Sequence, residues 1–89
     1  MTTQQIRFFL EAAACLNFTE AAKRLFVAQS TLSKQIALLE DELGLKLFYR
    51  NNRTVGLTPA GSLLRGEMEK AEHRLTQAID RARHVDRGL

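Results

Sequence analysis

Gln29, Ser30, Thr31, Ser33 and Lys34 fall within six residues at the head of an otherwise apolar helical run, VAQSTLSKQIALLE. Short hydroxyls and amides favour caps and turns over helix interiors, so a cluster of them there suits contact with something outside the chain. Gln and Lys side chains can address the edges of nucleic-acid bases, Ser and Thr can serve bases or phosphates, and a helix N-terminus attracts a phosphate. At 100° per residue, Leu32, Ile36 and Leu39 share one side, Ser30, Ser33, Lys34 and Ala37 lie opposite, and Gln29 and Thr31 flank them. A merely solvated face has the same composition, so the cluster alone decides nothing.

A second basic element does more. Lys46, Arg50 and Arg53 bring three cations within eight residues, and no acidic residue lies between Leu43 and Gly66. An arginine at such a turn can lie along phosphates or enter a narrow minor groove, which attracts it electrostatically. The acidic cluster Glu40-Asp41-Glu42 is expected at the far end of the helix, facing water or pairing with a basic neighbour.

These groups need elements to hold them. Ile6, Phe9, Leu10, Ala13 and Leu16 recur at three- and four-residue steps and predict a first helix over 4–16. Thr19 is suited to an N-cap, with Glu20 in the first turn of a short second helix to Leu25. The third helix, about 29–43, stops at Gly44, a residue free to go left-handed after a last turn. Ala22 lets two helices approach across a short turn, which favours a helix-turn-helix even though the turn holds Phe26 and no glycine. The β-prone runs 47–50 and 54–57, joined through Asn51-Asn52-Arg53, predict a hairpin that must rest on the helices, since two strands alone are marginal in water.

Thr58-Pro59 then reads as a cap followed by proline at the first helical position. Leu64, Met68, Ala71, Leu75, Ala78, Ala82 and Val85 step by four and three, with Leu63 and Ile79 beside them, as a heptad seam does. A helix of some 25 residues is about 38 Å long, more than a small domain covers. Its seam therefore needs another surface.

Composition sets the outer bounds. The chain has 89 residues, 45% of them hydrophobic, enough for a small domain with a thin core that benefits from a partner. The single cysteine, Cys15, flanked by Ala12, Ala13, Ala14 and Leu16, cannot form an intrachain disulfide and reads as a packed thiol. No apolar stretch approaches the ~18 residues of a membrane span and no signal-like run opens the chain, so a soluble cytoplasmic protein with no membrane partner is expected. A net charge of +3 and a pI near 9.5 fit a polyanionic partner only weakly.

Four linked motifs carry a family resemblance: Phe18-Thr19-x-Ala21-Ala22-x-x-Leu25; Gln29-x-x-x-Ser33-x-Gln35-Ile36-x-x-Leu39-Glu40; Leu43-Gly44-x-x-Leu47-Phe48-x-Arg50; and Leu57-Thr58-x-Ala60-Gly61. In order and spacing, over about residues 4–65, the chain resembles the DNA-binding half of LysR-type transcriptional regulators. It departs from the usual pattern at Ala28, commonly Ser, and at Ser30, often Pro.

The resemblance implies a mainly α fold: a winged helix-turn-helix of three helices and a two-stranded β wing over 1–58, then a long linker and dimerisation helix over 59–89. It places double-stranded DNA contacts on Gln29, Ser30, Thr31, Ser33 and Lys34 of the recognition helix and on Arg50 and Arg53 of the wing, about 47–57. Dimerisation falls on Leu64, Met68, Ala71, Leu75, Ala78, Ile79 and Ala82. The expected assembly is a homodimer on an interrupted inverted repeat. For the full-length regulator the resemblance adds RNA polymerase as partner, allows a dimer of dimers, and adds a C-terminal inducer-binding domain that this chain is expected to lack.

Two other classes fit less well. A helical adaptor binding a protein through the heptad helix accounts for the seam but leaves the polar face of the third helix unexplained. For an enzyme or metal site, His73 and His84 stand eleven apart, not at the i, i+4 spacing of a helical metal pair, and Cys15 has no base beside it in sequence. No catalytic residue, metal or cofactor is expected.

Overall fold

The computed structural model describes residues 1–51 and 55–88, in the order α1 (Thr3–Cys15), α2 (Phe18–Leu25), α3 (Gln29–Leu43), β1 (Phe48–Arg50), β2 (Val55–Leu57) and α4 (Pro59–Asp86). The mainly helical architecture with a two-stranded sheet agrees with the sequence reading. Arg53, and with it most of the proposed hairpin turn, lies outside the described residues.

Helix starts follow local chemistry. α1 opens with a capping box: Gln5 N donates to Thr2 Oγ1 (3.0 Å) and Thr2 N donates to Gln5 Oε1 (3.1 Å). α2 is capped by Asn17, whose Oδ1 accepts from Glu20 N at 2.9 Å, not by Thr19 as the sequence suggests. Asn ranks above Thr as an N-cap, and the residue two positions earlier takes the role. α4 starts at Pro59 behind the Thr58 cap, as expected.

α3 is the exception. Ala28 holds an extended N-cap backbone (φ −70°, ψ 147°) with no side-chain hydrogen bond, so the first-turn N–H groups of α3 lack a capping oxygen there. Ala28→Ser supplies one and raises stability by about 0.5–1 kcal/mol, read as a higher urea midpoint at unchanged slope. An unmoved midpoint would show the first turn to be satisfied by solvent.

α1, α2 and α3 each end on a left-handed residue. Gly44 (φ 67°) closes α3, with Gly44 N on Asp41 O and Leu45 N on Glu40 O. Phe26 adopts the same conformation (φ 59°) at the end of α2, while Val27 N returns to Ala22 O. The turn between α2 and α3 thus has the glycine-type geometry without the glycine, at a cost of roughly 1 kcal/mol in backbone strain.

One core joins every element. Phe9, Leu32, Ile36, Leu39 and Leu47 are fully enclosed, with Phe8, Ala12, Ala13, Phe18, Ala21 and Ala22 around them. Phe48 fastens the hairpin, meeting Phe18 edge-on (centroids 5.3 Å) and Phe9 (5.6 Å). The strands pair antiparallel, Phe48 with Leu57, Tyr49 with Gly56 and Arg50 with Val55.

α4 enters this core before leaving it. Met68 is buried and Leu64 packs against the same cluster, while every residue from Glu69 to Asp86 is exposed. Those 18 residues extend about 27 Å at 1.5 Å per residue. Cys15 is partly buried beside Glu11 (Sγ to Oε1 3.7 Å), and burial pushes its thiol above the ordinary range.

Candidate nucleic-acid interface

α3 divides as its sequence pattern requires. Leu32, Ile36 and Leu39 hold it to the core, while Gln29, Ser30, Thr31, Lys34 and Ala37 are exposed and Ser33 is half-buried. The first turn contains no acidic residue, so the positive end of the helix dipole stays unneutralised beside Lys34. Lys34 makes no ion pair among the described residues. Hydroxyl, amide and ammonium groups therefore share one open face at the helix N-terminal end, ready to address an anionic, hydrogen-bonding surface.

Two glutamines link α3 to its neighbours. Gln35 Oε1 accepts from Gln5 Nε2 at 3.2 Å, tying α3 to α1. Gln29 Oε1 accepts from Thr19 Oγ1 at 2.9 Å, tying the first residue of α3 to the first turn of α2. Thr19 is thus freed from capping and placed beside a predicted contact residue, which a one-dimensional reading of caps does not reveal.

The wing is anchored by a carboxylate. Glu40 is only 4% exposed, does not face water, and stands apart from the exposed Asp41 and Glu42. Its Oε2 accepts from Leu47 N (2.7 Å) and Phe48 N (3.4 Å), and its Oε1 accepts from Arg50 Nη2 (3.1 Å). The Arg50 guanidinium also lies 4.8 Å from the Phe18 ring centroid. The sequence anticipated a basic partner for this acidic cluster as one alternative, but not the two backbone donors.

The family resemblance makes Arg50 a wing contact. Its guanidinium is held by Glu40 and the Phe18 ring, with its side chain 36% exposed, although Arg50 itself pairs with Val55 at the turn end of the strands. Strand alternation carries the signal: Arg50, two residues after buried Phe48, starts from the same face of β1, although the residue itself is exposed.

The seam residues divide into two groups. Leu64 and Met68 pack on the chain's own core, whereas Ala71, Leu75, Ala78, Ile79 and Ala82 are exposed on the free part of α4, with Leu75 at 61%. His73 and His84 are exposed on the same helix, and no metal-binding cluster occurs among the described residues. Among the described residues no helix is long and apolar enough to cross a membrane.

A tri-helical core with an antiparallel wing and an exposed polar third helix defines a winged helix-turn-helix domain. Residues 3–62 match the bacterial regulatory helix-turn-helix protein, lysR family, and the chain belongs to that family. It is 51% identical over 63 residues to the probable cat1 operon transcriptional activator of Acinetobacter lwoffii, covering 71% of this chain and 21% of that one. It is 47% identical over 73 residues to the glycine cleavage system transcriptional activator of Escherichia coli strain K12, covering 82% and 24%. The chain thus spans about a fifth to a quarter of the length of these relatives. Among solved structures it superposes on the BenM DBD/catB site 1 DNA complex with a TM-score of 0.92 at 33% identity, covering 99% of this chain and 95% of that one.

Proposed function

We propose that this chain binds double-stranded DNA with sequence preference, as the DNA-binding part of a cytoplasmic transcriptional regulator. α3 enters the major groove N-terminal end first, and the hairpin approaches the adjacent backbone or minor groove. The observation that carries this reading is the open face of Gln29, Ser30, Thr31 and Lys34, free of acidic residues in its first turn, on a fold that superposes on a DNA-bound relative. Phosphate contacts supply most of the affinity, and α3 supplies the sequence. Arg50, held by Glu40, steadies the wing from the turn end of β1, and Arg53 is the wing residue assigned to phosphate. In the whole protein, RNA polymerase is the further partner.

A salt titration tests the reading. The parent binds a selected duplex with an affinity that falls steeply with salt, and Lys34→Ala relaxes base preference at one position by about 1–3 kcal/mol. Absence of salt-dependent duplex binding, or a Lys34→Ala variant with unchanged preference throughout the site, contradicts it.

The exposed part of α4 pairs with a second copy, which fixes the separation of two recognition helices and matches an interrupted inverted repeat. Leu75→Lys places a charge in that seam and shifts sedimentation toward monomer. A variant as dimeric as its parent would remove Leu75 from the interface.

A further inference from the structure

Thr19 caps nothing. Asn17 occupies the N-cap of α2, and the Thr19 hydroxyl, on an exposed residue of the first turn, reaches across the helix-turn-helix to Gln29. The pair joins the starts of two helices through residues ten apart in sequence.

An exposed glutamine has three rotatable side-chain bonds, and fixing it in one conformation costs rotamer entropy at the moment of binding. A hydrogen bond already present in the free protein removes part of that cost. A carbonyl oxygen has two lone pairs, and Thr19 occupies one of them. The second lone pair of Oε1 and the Nε2 donors have no partner among the described residues. That combination, an acceptor beside a donor, matches the N6 and N7 edge of adenine in the major groove.

We propose that Thr19 is a specificity-determining positioning residue: it orients the Gln29 carboxamide for an adenine edge and makes no base contact itself. The inference rests on α3 reading the major groove. Thr19→Val keeps the side-chain shape and loses the hydroxyl, Thr19→Ser keeps the hydroxyl, and Gln29→Ala removes the reader.

Sequences are selected from a random duplex library by the 89-residue parent and by each variant, with Kd measured against salt for the selected duplexes. Gln29→Ala identifies the A·T pair that Gln29 reads. Thr19→Val lowers the preference at that same pair by roughly 3- to 10-fold, a part of what a bidentate side chain supplies, and leaves other positions and the salt slope unchanged. Thr19→Ser restores the preference, and Thr19→Val has no effect in the Gln29→Ala background. The proposal is overturned if Thr19→Val weakens all sequences equally with a shallower salt slope, as loss of a phosphate contact would, or if every base preference survives it. A parent that selects no sequence overturns the DNA-binding reading itself, a result distinct from either.

Discussion

Glu40→Leu lowers the unfolding free energy by about 3 kcal/mol and releases the wing from the helices. The leucine fills similar space, so the loss lies in what the carboxylate was accepting. The Leu47 and Phe48 N–H groups belong to buried residues and both aim at Oε2. An orphaned buried donor costs about 1–3 kcal/mol, more than the net value of an average hydrogen bond.

Arg50 contributes less, because its side chain is 36% exposed and water can replace its partner. Arg50→Met therefore costs about 1 kcal/mol, with Glu40 still serving the two backbone donors. Urea unfolding of the two variants checks the asymmetry. Equal losses would mean that the ion pair, and not the backbone donors, is what Glu40 is buried to satisfy.

Gly61→Ala destabilises the chain by about 3 kcal/mol, although helix propensity alone favours alanine over glycine by about 1 kcal/mol. A Cβ at Gly61 would overlap the Leu47 carbonyl oxygen and come within 3.0 Å of its carbon and 3.1 Å of Leu57 Cδ2. Backbone on the far side cannot swing away as a flexible side chain can, so the first turn of α4 must lift from Leu47, just ahead of β1. Gly66→Ala, one and a half turns further along the same helix, meets nothing within 4 Å and gains about 0.5–1 kcal/mol. Opposite shifts in unfolding midpoint are expected for the two alanines. A stabilised Gly61→Ala would show that the close approach is not required.

Elements governed by local chemistry were legible in the sequence. Pro59 behind Thr58, and Gly44 after Leu43, are signals carried within a few residues, and both fall where expected. The burial of Leu32, Ile36 and Leu39 follows from helical period alone. What escaped depends on neighbours distant in sequence. For Glu40 the sequence leaves water or a basic neighbour open, and the two backbone N–H groups it also serves lie in a segment without periodicity that carries no signal. Met68 fits the heptad, but a heptad shows only that a stripe is covered, not whether the chain's own core or a partner covers it. Thr19 reads locally as a cap, and only the position of Gln29, ten residues on, shows what its hydroxyl bonds instead.

Thr58 has a consequence that reaches beyond its own cap. Its N–H bonds Leu47 O at 3.1 Å, its hydroxyl donates to Lys46 O, and the same oxygen accepts from Gly61 N at 2.9 Å. The passage from wing to α4 is therefore clamped on three sides, and Leu64 and Met68 extend the grip for a further two turns. A joint of that kind transmits torque: the bare outer portion of α4 is a lever arm rigidly fixed to the head, so a few degrees of tilt imposed at its far end re-aim α3 by the same angle.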